Sequence, residues 1–188
     1  MSVRCPRIAH AFNIRVKLVA DRIVGGMNRM PYVPMYELLP EIAMAETRTI
    51  TVFKGSAFSV PAGDYGLLEM YCNDEGCDCR RVFISVISSV TKDIVAVITF
   101  GWESKAFYAK WFYGGISVKL SELGEFDRQA VKDMHGIHLS NSSRQSEIAP
   151  AVLQMVTECA LRDSAYVDRI KRHYKLFRAK VDEHFRDH

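Results

Sequence analysis

The sequence predicts an α+β fold: a small antiparallel meander of three to four strands, a zinc loop at one end, and a C-terminal helical pair packed on one face. Three observations carry this reading. Runs rich in β-branched and aromatic residues recur through the first half of the chain. The connections between them are too short for helical crossovers, since parallel pairing needs about a dozen or more linking residues. Towards the C-terminus, over residues 145–186, apolar positions recur at helical spacing instead.

Residues 31–41 carry Pro31, Pro34 and Pro40, which limit regular structure, although Met35 to Leu39 suits a short turn of helix. Thr49-Ile50-Thr51-Val52-Phe53 predicts the first strand. Pro61-Ala62-Gly63-Asp64 is a turn, and Tyr65 to Tyr71 predicts the next strand. Arg81 to Ser88 alternates Val82, Ile84 and Val86 against Phe83, Ser85 and Ile87, so at least one of its faces is buried. Thr91-Lys92-Asp93 supplies a turn into Ile94 to Phe100, which is largely apolar and reads as a central strand.

After Gly101 the period changes. Trp102, Phe107, Tyr108 and Trp111 are spaced for one helical face, and Gly114-Gly115 end the run. Residues 121–134 suit a further short helix, and Ser140-Asn141-Ser142-Ser143 a loop. Ile148, Val152, Met155, Val156 and Cys159 form an apolar stripe. A last helix starts near Ser164, with Tyr166, Ile170, Tyr174, Phe177, Val181 and Phe185 inward. Its other face carries Arg169, Lys171, Arg172, Lys175, Arg178 and Lys180.

Of the 188 residues, 48% are hydrophobic and 25% charged, enough to bury a core without covalent staples. The formal net charge of +3 is uneven: residues 1–30 carry +5 and the remainder −2. Residues 1–30 are therefore expected to be a basic extension and 31–188 a single domain. The extension admits three readings: a targeting segment, a basic arm for an acidic partner, or a leader that is not translated. The last is preferred, because the GGN codons of Gly25 and Gly26 would place a purine-rich ribosome-binding sequence before Met27 and Met30. Arg22-Ile23-Val24-Gly25-Gly26 resembles the activation site of trypsin-like serine proteases, but no Gly-Asp-Ser-Gly segment follows it. No run reaches the roughly 18 apolar residues of a membrane span, and Ile8 to Ala20 is too interrupted for a secretory signal. A cytoplasmic protein without a membrane partner is expected.

In a reducing compartment, clustered cysteines read as metal ligands or redox groups before disulfides. Cys72, Cys77 and Cys79 fall within eight residues, between two predicted strands. Zinc takes tetrahedral sulfur and nitrogen ligands, and tight turns let neighbouring thiolates converge on one ion. Gly76 suits such a turn, and Arg80 and Arg81 can offset thiolate charge. Over these eight residues the loop is similar to zinc-knuckle and zinc-ribbon loops. The fourth ligand is open: His138 is preferred over His135, with Cys159, Cys5, Asp74, Asp78 or a water as alternatives. Cys159 lies in an apolar stripe and reads first as a core residue.

Other groups weigh less. Glu69 with Asp74, Glu75 and Asp78 reads as a solvated acidic set before a hard-metal or general-acid group. The aromatics of 102–113 beside Lys105 and Lys110 read as core before a base-stacking surface. Lys171, Arg172 and Lys175 are candidates for contact with phosphate or an acidic partner. No His-Glu-x-x-His, deaminase signature, glycine-rich phosphate loop or Gly-x-Ser-x-Gly elbow is present. The leading expectation is thus a non-enzymatic zinc-binding interaction module whose partner is a protein or nucleic acid. The alternative is a zinc-dependent enzyme or cysteine redox sensor using the same three thiols.

Overall fold

The structure is a computed structural model that describes residues 32–186; the expectations for residues 1–30 and for Cys5 lie outside these. Six antiparallel strands form one sheet: β1 (Tyr32–Pro34), β2 (Arg48–Val52), β3 (Gly63–Cys72), β4 (Arg81–Ser88), β5 (Ile94–Gly101) and β6 (Gly136–Leu139). β3, β4, β5 and β6 are neighbours in that order, and β1 and β2 both pair with β3. β2 takes the first half of β3, from Gly63 to Leu67, and β1 takes the end, from Met70 to Cys72.

The four longer strands fall on the four runs that the sequence marks. The sheet nevertheless has six strands rather than three or four. β1 and β6 are only three and four residues long, too short for periodicity to register. They form because β3 and β5 would otherwise leave backbone donors and acceptors unpaired along an edge. Gly136, at φ +79°, opens β6.

The helices are α1 (Met35–Leu38), α2 (Pro40–Glu46), α3 (Lys105–Phe112), α4 (Glu125–Met134), α5 (Ala149–Val156) and α6 (Ser164–Arg186). α2 was not expected among the prolines. Pro40 sits in its first turn, where the missing N–H has no intrahelical role, so it starts the helix rather than preventing it. α3 begins later than the aromatic spacing suggests: Ser104 caps it by accepting from the Phe107 N–H, which leaves Trp102 outside. Gly114 at φ +62° and Gly115 at φ +95° end it as expected.

α5 runs into a π-helical turn at Thr157–Leu161, and α6 follows at once. Cross-strand partners share a face, so Tyr65, Leu67, Glu69 and Tyr71 of β3 stand with Val82, Ile84 and Val86 of β4. Their apolar members form one core with Val152, Met155 and Val156 of α5 and Tyr166, Ile170, Tyr174, Phe177 and Val181 of α6. Phe185 is the exception to the predicted stripe, being largely solvent-facing near the end of α6. On the other face Leu68, Met70, Phe83, Ile87 and Val97 are buried as well. This is why these strands read as nearly continuous apolar runs. Arg48 of β2 ties the sheet to the π turn, donating to the Cys159 carbonyl at 3.3 Å and to Asp163 at 3.5 Å. Cys159 itself is buried in the core.

Candidate metal centre

The loop between β3 and β4 starts at Cys72, the last residue of β3, paired across the sheet with Tyr32. Gly76 takes φ +62°, and the Cys77 N–H returns to the Asp74 carbonyl at 3.3 Å, closing a tight turn. A side chain at Gly76 would find open space, so conformation rather than crowding calls for glycine. Arg80 then adopts φ +45°, an uncommon conformation for a residue with a side chain. It is held on both sides, its N–H donating to the Tyr174 hydroxyl at 3.3 Å and its carbonyl accepting from the Tyr108 hydroxyl at 2.9 Å.

This path brings three thiols together. The sulfurs of Cys72, Cys77 and Cys79 all lie within 4.8 Å of one another. Cys72 and Cys79 are 2% and 1% exposed and Cys77 is half-buried, so the group faces inward with one thiol near the surface. A tetrahedral ion with metal–sulfur bonds of about 2.3 Å holds thiolates about 3.8 Å apart. The cluster is thus within about an ångström of closing on such an ion. It is compatible with a metal and suited to soft or borderline cations.

The close approach of the thiols shifts their pKa values in opposite directions. Hydrogen bonds from Cys72 and Cys77, with a further one from Tyr32, favour the thiolate of Cys79 and lower its pKa. Cys72 is pushed up, by its hydrogen bonds with Cys77 and Cys79 and by burial. Tyr32 donates to the Cys79 sulfur at 3.7 Å. Burial first, and the Cys79 charge next, push that phenol well above its usual range. It therefore stays a proton donor to sulfur, the usual part of a group behind a metal ligand.

α6 clamps the loop from behind. One guanidinium nitrogen of Arg178 donates to the carbonyls of Cys72 at 3.1 Å and Asp74 at 2.8 Å, while the other meets Asp182 at 2.5 Å. One turn earlier, Tyr174 donates to Asp78 at 3.3 Å and packs against Trp102, ring centroids 5.3 Å apart. Arg80 turns to Asp78 and Glu103 and lies over the Phe107 ring, 4.7 Å from its centroid, rather than towards the sulfurs.

The other predicted site residues fall elsewhere. His138 is not in the thiol group; it sits on β6 opposite Thr99, with its Nε2 against the His135 carbonyl. His135 directs its Nδ1 to the Glu103 carbonyl at 2.8 Å. Asp78 is engaged by Arg80 and Tyr174. Asp74 reaches the cluster, its Oδ2 lying 3.5 Å from the Cys72 sulfur. Of the basic trio, Arg172 is ion-paired with Glu46, Lys171 is half-buried and Lys175 is exposed.

Glu69 is not solvated, as its acidic neighbours suggested. It is 3% exposed, because it stands on the helix-facing side of β3. It accepts from the Tyr71 hydroxyl at 2.6 Å and meets His173 Nδ1 at 2.7 Å; His173 Nε2 lies 3.2 Å from Glu46. His173 was not singled out from the sequence. Its signal was available: positions 166, 170, 173 and 177 are spaced four, three and four, which places the imidazole on the buried side of α6. No protein-family model, curated protein or solved structure matches the chain.

Proposed function

We propose that Cys72, Cys77 and Cys79 hold one zinc ion and that the chain is a non-enzymatic binding module whose loop this ion fixes. One observation carries the reading: three thiols, two of them almost fully buried, converge within 4.8 Å on a loop fastened to α6 through Tyr174 and Arg178. The loop has no strand partner of its own. Its order rests on side-chain contacts from α3 and α6, and an ion bound by the thiolates adds a covalent-strength tie across the same turn. The ion would thereby set the attitude of the loop against α6. The partner, protein or nucleic acid, would meet the exposed side of that helix, where Lys175 is free of the core and Lys171 and Arg172 stand close in sequence.

Metal analysis of the purified chain is expected to give about one zinc per molecule, lost when Cys72 and Cys79 are both changed to Ser. Chelation is expected to change the fluorescence of Trp102, which packs on the Tyr174 that grips the loop. Zinc-free protein with an unaltered loop would sink the reading.

A redox sensor is the second reading, favoured by the hydrogen bonds to Cys79 that lower its pKa and so favour its thiolate. It requires that Cys79 react with a thiol reagent in metal-replete protein as fast as in metal-stripped protein. The zinc reading expects strong protection by the metal.

A further inference from the structure

We infer that the Asp74 carboxylate is the fourth ligand of the ion, an inference that rests on the zinc reading above. Three thiolates leave a tetrahedral ion one position short. The bond lengths of zinc to sulfur and to carboxylate oxygen, about 2.3 and 2.1 Å, place these two ligand types about 3.6 Å apart around one tetrahedral ion. Asp74 Oδ2 accepts from the Cys72 thiol at 3.5 Å, so these two groups already stand at the spacing that a shared ion would require of them.

The backbone explains the aim. Arg178 grips the carbonyls on either side of Asn73, those of Cys72 and Asp74. The Asp74 carbonyl also accepts from the Cys77 N–H. The main chain that carries the carboxylate is therefore tied at both ends of the same turn that carries two of the thiols. Asp74 is exposed, whereas the Cys79 sulfur that Tyr32 donates to is buried. The donor set becomes three sulfurs and one oxygen, closed by the chain itself without a histidine. Among the three sulfurs the approach needed is about an ångström; the carboxylate, which lies beyond 4.8 Å from at least one of the Cys77 and Cys79 sulfurs, must swing further, by rotation of the exposed Asp74 side chain.

Cobalt(II) substituted for zinc separates the possibilities, because its visible bands report coordination number and donor type. The wild-type chain and the Asp74→Asn, Asp74→Ala and His138→Ala variants would be titrated with cobalt(II), then with zinc in competition. Circular dichroism of each metal-free chain would confirm an unchanged fold. Wild type is expected to show the intense bands of a tetrahedral thiolate-rich site. Both Asp74 variants are expected to shift those bands and to bind zinc roughly tenfold to a hundredfold more weakly. His138→Ala is expected to match wild type. Asp74 variants with wild-type bands and affinity overturn the inference while leaving the zinc site standing, as does a loss confined to His138→Ala. A wild-type chain that binds neither metal overturns the zinc reading and this inference together.

Discussion

His173 Nδ1 and Glu69 Oε2 meet at 2.7 Å inside the protein, with side-chain exposures of 0% and 2%. A carboxylate and an imidazole at that depth lock α6 to β3 by direction as well as by apolar contact. Replacing Glu69 with Ala leaves His173 Nδ1 without its partner and the Tyr71 hydroxyl with the Ile170 carbonyl alone, and an unsatisfied buried polar group costs about 1–3 kcal/mol. Urea denaturation of Glu69→Ala is expected to show a loss of that size. A change below about 1 kcal/mol would mean that the pair contributes little.

Glu46 joins the same network from α2. Burial pulls its pKa up, but hydrogen bonds from Arg172 and His173 pull it down further, so it ends below its ordinary value of 4.5. A carboxylate lowered on folding contributes stability above its unfolded pKa and loses it as pH falls through the folded one. Stability is therefore expected to fall as pH drops below about 4.5, and less steeply in Glu46→Gln. Denaturation midpoints at pH 7, 5, 4 and 3 (chosen to bracket that range) would check it. Parallel curves for the two proteins would count against the assignment.

Gly101 ends β5 where a Cβ atom would lie 1.9 Å from the Met134 carbonyl and 2.6 Å from the Tyr108 hydroxyl. The carbonyl belongs to backbone and cannot swing aside. Gly101→Ala is expected to cost about 1–3 kcal/mol or more and to loosen the Tyr108 contact with Arg80. Thermal unfolding measures the first effect and metal affinity the second.

Arg178 is 7% exposed and supports the loop through two carbonyls. Arg178→Lys keeps a charge but loses the planar fork in which one nitrogen meets both carbonyls while the other is held by Asp182. Zinc affinity is expected to drop roughly tenfold, in the range found for groups behind metal ligands, with the metal-free circular dichroism unchanged. Equal affinities would show that the loop needs no such support.

Much of the sheet was legible because each long strand declares itself by alternation or by a continuous apolar run, as in Arg81–Ser88. β1 and β6 were not, since strands of three or four residues are formed by the edge they find rather than by their own pattern. The cysteine cluster was legible as spacing, because its thiols lie on one short turn. Its clamp was hidden: Tyr174 and Arg178 read as an apolar and a basic position of a helix, and nothing local links them to residues about a hundred positions earlier. Glu69 was misread for the opposite reason. Its acidic neighbours in sequence lie in the loop, while its partners in space come from α6 and from Tyr71 two residues on.

The separation between Cys72 and Arg178 also orders events in time. On a growing chain the three thiols leave the ribosome long before α6, so they are free to meet metal or oxidant while their carbonyl and hydroxyl supports do not yet exist. The loop can reach its final geometry only once α6 has docked on the sheet. A chain cut before Ser164 carries every thiol of the cluster and none of the α6 groups that hold it in place.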